Sequence, residues 1–239
     1  MQSASARAFR FILLTAVLIT IAGACSDDKS TDPPAPPTGN VMLHFVHVVD
    51  GDTLELNQMK YRNAAGDTFM VQNLEYFVSK IGMEGPDGSY VPANAHYVRA
   101  DDPSTFDFLL TGVPEAHYHS LVLTFGLDES MNSTSNETVN QIDGASSMIW
   151  PQAWGGGYHY MRLEGRFKDQ GTVKGFLTHT GRYADATRPA ENHYFQVGMT
   201  VHKNVVADET VHIAVVMNLA PSGTRPPVPS ISSITACSE

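Results

Sequence analysis

Cysteine is almost missing from this chain: there are two in 239 residues, Cys25 and Cys237. So few thiols exclude a disulfide framework and a multi-thiolate zinc site. Basic residues are also scarce, 15 Lys and Arg against 25 Asp and Glu. The resulting net charge of −10 argues against a nucleic-acid partner. Only 17% of residues are charged and 42% are hydrophobic, which excludes a disordered polymer or a coiled coil. Beyond the N-terminal region, no apolar run reaches the roughly 20 residues that a membrane-spanning helix needs. Also missing are a Gly-x-Ser-x-Gly elbow, a phosphate loop, a dinucleotide fingerprint and a His-Glu-x-x-His pair. No nucleophile–base signature stands out, so the chain is not expected to be an enzyme.

The N-terminus reads as an address. Arg7 and Arg10 precede the apolar run Phe11–Ile21, and Ala22-Gly23-Ala24 leads into Cys25. A basic start, a short apolar stretch and small residues before a cut site make a secretory signal. Cys25 directly after Ala-Gly-Ala resembles a bacterial lipobox, with Ala22 where a Leu is usual. Residues 1–24 are therefore expected to be a lipoprotein signal peptide and Cys25 the lipidated residue. Ser26, rather than Asp, follows it, which points to outer-membrane sorting in a bacterial cell envelope, with the lipid as the membrane contact. Cleavage there removes two arginines and no acid, so the net charge moves from −10 to −12. Residues 25–40, with Asp32-Pro33-Pro34-Ala35-Pro36-Pro37, read as an extended tether without a core.

The remainder, 41–220, has the size of one domain. Short apolar runs separated by Gly, Pro, Asn and Asp recur, among them Val41–Val49, Thr53–Leu56, Phe69–Val71, Tyr76–Met83, Ser120–Leu127, Val173–His179 and Thr210–Leu219. In the last, Val211, Ile213, Val215 and Met217 share a face at period two. Asp87-Gly88 signals a hairpin. Val71–Lys80 fits both strand and helix periods poorly. The pattern predicts an all-β protein, an immunoglobulin-like Greek-key β-sandwich. Residues 221–239 read as a polar tail in which Cys237 is an exposed free thiol.

Histidine is the abundant chemistry: ten in 239 residues. It is the commonest metal ligand. His44 and His47 are three apart and cannot both face one ion from a regular strand. His117 and His119 are two apart and can form a bidentate pair, though solvated histidine near a turn is the plainer reading. An interior without thiolate excludes a blue-copper site. The ten methionines are scattered and form no copper(I) basket. A His-based copper site, with zinc as second choice, remains open beside a different class of function, a non-enzymatic surface interaction module in which the histidines are incidental.

Four blocks then carry a family resemblance. The first is Leu43-His44-Phe45-Val46-His47, followed by Leu54-Glu55-Leu56 and Tyr61-Arg62-Asn63-Ala64-Ala65-Gly66. Leu74-Glu75-Tyr76-Phe77-Val78-Ser79 is the second. The third runs Met148-Ile149-Trp150, then Trp154, Gly157-Tyr158 and Leu163-Glu164-Gly165. The fourth is Phe176-Leu177-Thr178-His179-Thr180-Gly181. Together they resemble the MbnP-like family of periplasmic copper-binding proteins. The resemblance implies a β-sandwich that binds copper through histidine, with His47 and His179 as the ligand positions. It also implies that Trp150 or Trp154 lines the site and is a candidate for oxidation to kynurenine, with a diheme peroxidase-like enzyme as partner. Pro151-Gln152-Ala153 is a longer spacer between the two tryptophans than the family pattern has. A third donor is not assigned: another histidine, water and an oxidised-Trp carbonyl stay open.

Overall fold

Alternation makes the first strand. In β1 (Thr38–Val49) Val41, Leu43, Phe45, His47 and Val49 are buried and the residues between them are not. This is the period-two signature of a strand with one face on a core. The computed structural model describes residues 35–63, 66–185, 187–221 and 229–238. The expected signal 1–24, Cys25 and most of the tether lie outside them. Among the described residues β1 is followed by β2 (Asp52–Thr53), β3 (Tyr61–Arg62), β4 (Thr68–Gly85), β5 (Gly88–Tyr90), β6 (Ala95–Arg99), β7 (Asp107–Pro114), β8 (Ala116–Phe125), β9 (His159–Asp169), β10 (Thr172–Gly181), β11 (Tyr183–Asp185), β12 (Arg188–Glu191), β13 (Phe195–Val205), β14 (Thr210–Pro221) and β15 (Pro229–Ser238).

Two sheets form the expected sandwich. One has the order β15–β14–β1–β2, with β7 also on β1. Its β1–β14 pair is parallel, so the first and a late strand lie side by side. The other has the order β10–β9–β4–β8–β13, with β3, β5 and β6 also on β4. The main core lies between them. Leu43, Phe45, Ile213 and Val215 from the first sheet pack with Tyr76, Val78, Leu123 and Leu163 from the second. Ile213 is fully buried.

Three segments differ from the expectation. Phe69–Val71 and Tyr76–Met83 belong to one continuous strand, β4, and Val71–Lys80 is strand throughout. The period was obscured because Leu74 to Ser79 are all buried. Tyr76 and Val78 face the main core, whereas Phe77 belongs to a second cluster with Tyr97 and Tyr160. A strand covered on both faces loses its alternation. Of the run Thr53–Leu56, only Thr53 is in a strand. The stretch expected as a polar tail, 221–239, carries β15, which pairs antiparallel with β14. Cys237, opposite Ala214, is a free exposed thiol as expected.

The second cluster is what positions the site. After β8 the chain crosses the outer face of the second sheet as an irregular flap that includes α1 (Glu137–Asn140). Leu127, Met131, Val139, Ala145, Met148 and Tyr158 from this segment pack on Phe77, Tyr97 and Tyr160. Asn132 ties its two ends: its Oδ1 accepts from the Tyr158 amide at 2.8 Å, and its Nδ2 donates to the Tyr160 hydroxyl at 3.0 Å.

Candidate metal centre

The flap ends in a tight loop that holds the two tryptophans. The Trp150 amide donates to the Gly157 carbonyl at 2.9 Å, closing the loop. Gln152-Ala153-Trp154 makes a 3-10 turn entered at Pro151, and Gly155, Gly156 and Gly157 all have positive φ, at 113°, 65° and 83°. Three such residues in succession are accessible at low cost only to glycine. The longer spacer is absorbed by this turn. Trp150 is 8% exposed and its Nε1 donates to the Trp154 carbonyl at 3.1 Å. Trp154 is 47% exposed at the rim, with the ring centroids 5.7 Å apart.

The Trp150 indole lies over Gly181 at the end of β10, where a β-carbon would sit 3.0 Å from the indole carbons. On its other side is His159 of β9, centroid to centroid 4.6 Å, edge to face. His159 in turn meets the ring of His179 at 5.1 Å. Strand pairing brings these two together, since Gly181 and Thr180 oppose His159 and Met161 across the β9–β10 ladder.

Each imidazole has one nitrogen committed. His159 Nδ1 donates to the Met148 carbonyl at 3.1 Å, leaving Nε2 with the lone pair. His179 Nε2 donates to Glu164 Oε1 at 2.7 Å, leaving Nδ1. Acceptors of these two kinds, a backbone carbonyl and a carboxylate, are what orient metal-binding histidines. Burial, ahead of all other causes, holds His159 below the ordinary imidazole range and so favours the neutral, ligating form. His193 fits the same pattern, with Nδ1 2.8 Å from the Gly181 carbonyl. It lines an open pocket of about 320 Å³ with Trp150, His179, Tyr183, Arg188 and Glu191.

Behind His179 runs a polar row on the outer face. Glu75 of β4 opposes Arg162 of β9, which opposes His179 of β10. Arg162 donates to Glu75 Oε1 at 2.7 Å and to Glu164 Oε1 at 3.1 Å. Glu75, 5% exposed, also accepts from the Tyr97 hydroxyl and from Asn73 Nδ2. A buried carboxylate with this many donors is a rigid anchor for the row.

His47 is elsewhere. It faces the main core from β1, with Nε2 2.9 Å from the Tyr76 hydroxyl and its ring against Tyr76 and Phe106. Burial lowers its pKa to about 4. Tyr76 and Glu75 are consecutive in β4 and point to opposite faces, so His47 meets the inner face of the second sheet and His179 lies on the outer one. The fold does not bring the two expected ligand positions together. It brings His179 to His159, a histidine that spacing along the chain does not single out.

The remaining imidazoles fall into three groups. His44 bridges Asp107 (2.7 Å) and His212 (2.9 Å). His96 Nε2 lies 2.8 Å from the Thr105 carbonyl. His117, His119 and His202 cluster on the surface. The first two are in strand β8 rather than in the turn before it.

A family model described as MbnP matches residues 38–223. MbnP from Methylosinus trichosporium is similar in structure, with a TM-score of 0.48 at 13% identity, covering 76% of each chain. No curated protein matches the chain.

Proposed function

Because the chain belongs to the MbnP family, we propose that it is a copper-binding protein of the bacterial cell envelope, anchored by lipid at Cys25. The metal is its cargo, held and handed on rather than used in turnover. The observation that carries this reading is the edge-to-face pair His159–His179 beside Trp150, each imidazole with one nitrogen committed to a protein acceptor. The donor set fits copper: neutral imidazoles suit it in both oxidation states, and the site contains no thiolate. Glu164 and the Met148 carbonyl hold the rings, Arg162, itself anchored on Glu75, holds Glu164, and the Trp150 indole shields one side from water. His193, which lines the same pocket as His179, is the candidate for a further donor. Trp150, with its edge at His159, is better placed than the exposed Trp154 to line the site, and is the residue expected to carry oxidation to kynurenine if the envelope form is modified. A diheme peroxidase-like enzyme is the class of partner able to perform such an oxidation.

The test is equilibrium dialysis of the full chain with copper, elemental analysis, and intact mass of protein isolated from the envelope. Loss of one copper equivalent in His159→Gln/His179→Gln supports the reading. An unchanged copper stoichiometry in that variant would overturn the ligand assignment. No copper in the unaltered protein would favour an interaction module.

A further inference from the structure

A second group of imidazoles lies on the opposite edge of the same sheet. In the order β10–β9–β4–β8–β13, the centre described above is on β9 and β10, and the surface histidines are on β8 and β13. Strands are spaced at about 4.8 Å, so the edge strands of a five-strand path lie roughly 19 Å apart. One ion cannot serve both groups.

The local geometry is built by a bulge. Between the pairs Thr200–Ser120 and Lys203–Tyr118, two residues of β13, Val201 and His202, face the single residue His119 of β8. His202 adopts φ 46°, in the left-handed region that a residue with a β-carbon rarely enters. Bulges re-aim side chains, and strained backbone of this kind concentrates at functional sites. Here the result is that the His202 ring stands 5.3 Å from that of His119 and 6.1 Å from that of His117, which are themselves 5.0 Å apart. One ligand nitrogen from each lies within 4.8 Å of the others. In a tetrahedral set bound at roughly 2.0–2.1 Å, donor atoms are about 3.3 Å apart, a closure within reach of side-chain rotation. His117 is also oriented: its Nδ1 is 2.7 Å from Asn204 Oδ1, which leaves Nε2 with the lone pair.

We propose that His117, His119 and His202 form a second metal site, for a borderline divalent ion, Zn2+ or Cu2+, with one coordination position open to solvent. Three imidazoles and an open position are a ligand set that both ions accept, and Cu2+ binds such a set more tightly. Hard ions such as Mg2+ and Ca2+ find no oxygen ligand among the three residues. The acidic chain, with net charge −10, favours cations at its surface.

The experiment uses the full chain carrying His159→Gln/His179→Gln, so that the first centre is silent. Titration with Zn2+ alone is expected to show one site, and Cu2+ alone is expected to give an electron paramagnetic resonance signal with coupling to several nitrogens. His202→Asn keeps a residue that tolerates the left-handed backbone and removes one imidazole; His117→Gln removes another at a regular strand position. Each is expected to weaken Zn2+ binding at least tenfold with an unchanged circular dichroism spectrum. Affinity within twofold of the parent in both variants would overturn the proposal. So would failure of the parent to bind either ion. Loss of copper from the first centre is read separately, as one equivalent fewer than in the unaltered chain.

Discussion

His179 and Glu164, on neighbouring strands, are joined by a contact of 2.7 Å between Nε2 and Oε1. The carboxylate fixes the ring and assigns its proton, so that the other nitrogen faces outward ready to bind. Glu164→Gln keeps the shape and removes the charge. Copper affinity is expected to fall about tenfold with little change in folding, the cost typical of an outer-shell partner of a ligating histidine. Competition with a chelator of known affinity measures it.

Gly181 allows the Trp150 indole to lie on the end of β10. A β-carbon there would stand 3.0 Å from the indole Cδ2 and Cε3. Gly181→Ala should displace the ring, cost roughly 1–3 kcal/mol as an overpacking change, and shift tryptophan emission to the red. An unaltered emission spectrum would mean the indole is not held there.

Ile213 is the centre of the alternating face of β14 and is fully buried. Ile213→Ala is expected to destabilise by roughly 2–5 kcal/mol, the range for truncating a buried aliphatic side chain. Urea unfolding with an unchanged slope checks it.

His47 makes stability fall with acid. Its pKa is about 4 in the folded chain against the ordinary 6.5. Below 6.5 the unfolded chain takes up a proton that the folded chain refuses, so its contribution is complete above 6.5 and is lost as pH falls toward 4. The total is ~3 kcal/mol for a shift of this size. In His47→Gln, which cannot titrate, the slope of stability against pH between 6.5 and 4 should flatten. An equal slope in both proteins would place the acid sensitivity elsewhere.

Cys25→Ala tests the anchor. A diacylglycerol thioether plus a further acyl chain binds membranes stably, whereas a single chain is marginal. The variant is expected in the soluble envelope fraction, and unchanged membrane partitioning would refute lipidation at that residue.

Local pattern alone determined much of the molecule. Val211, Ile213, Val215 and Met217 announced a strand with one buried face, because each alternation needs only neighbours in sequence. The blocks around Trp150 and His179 carried the family, which the match over residues 38–223 bears out. Pattern failed at β4, where a flap from residues 126–158 covers the second face and erases the period. It also left the tail unread, since pairing with β14 depends on a partner strand and not on its own composition.

The two histidine clusters were decided only in three dimensions. His159 looked like one histidine among ten, twenty residues from His179; a strand reversal and ladder register set their rings 5.1 Å apart. His117 and His119 were visible as a pair, but the third imidazole, His202, comes from another strand and is turned by one extra residue in it. Spacing along a chain reports which residues share a face of one strand. Which imidazoles converge depends on strand order, register and bulges, and these are set by packing between segments far apart in sequence.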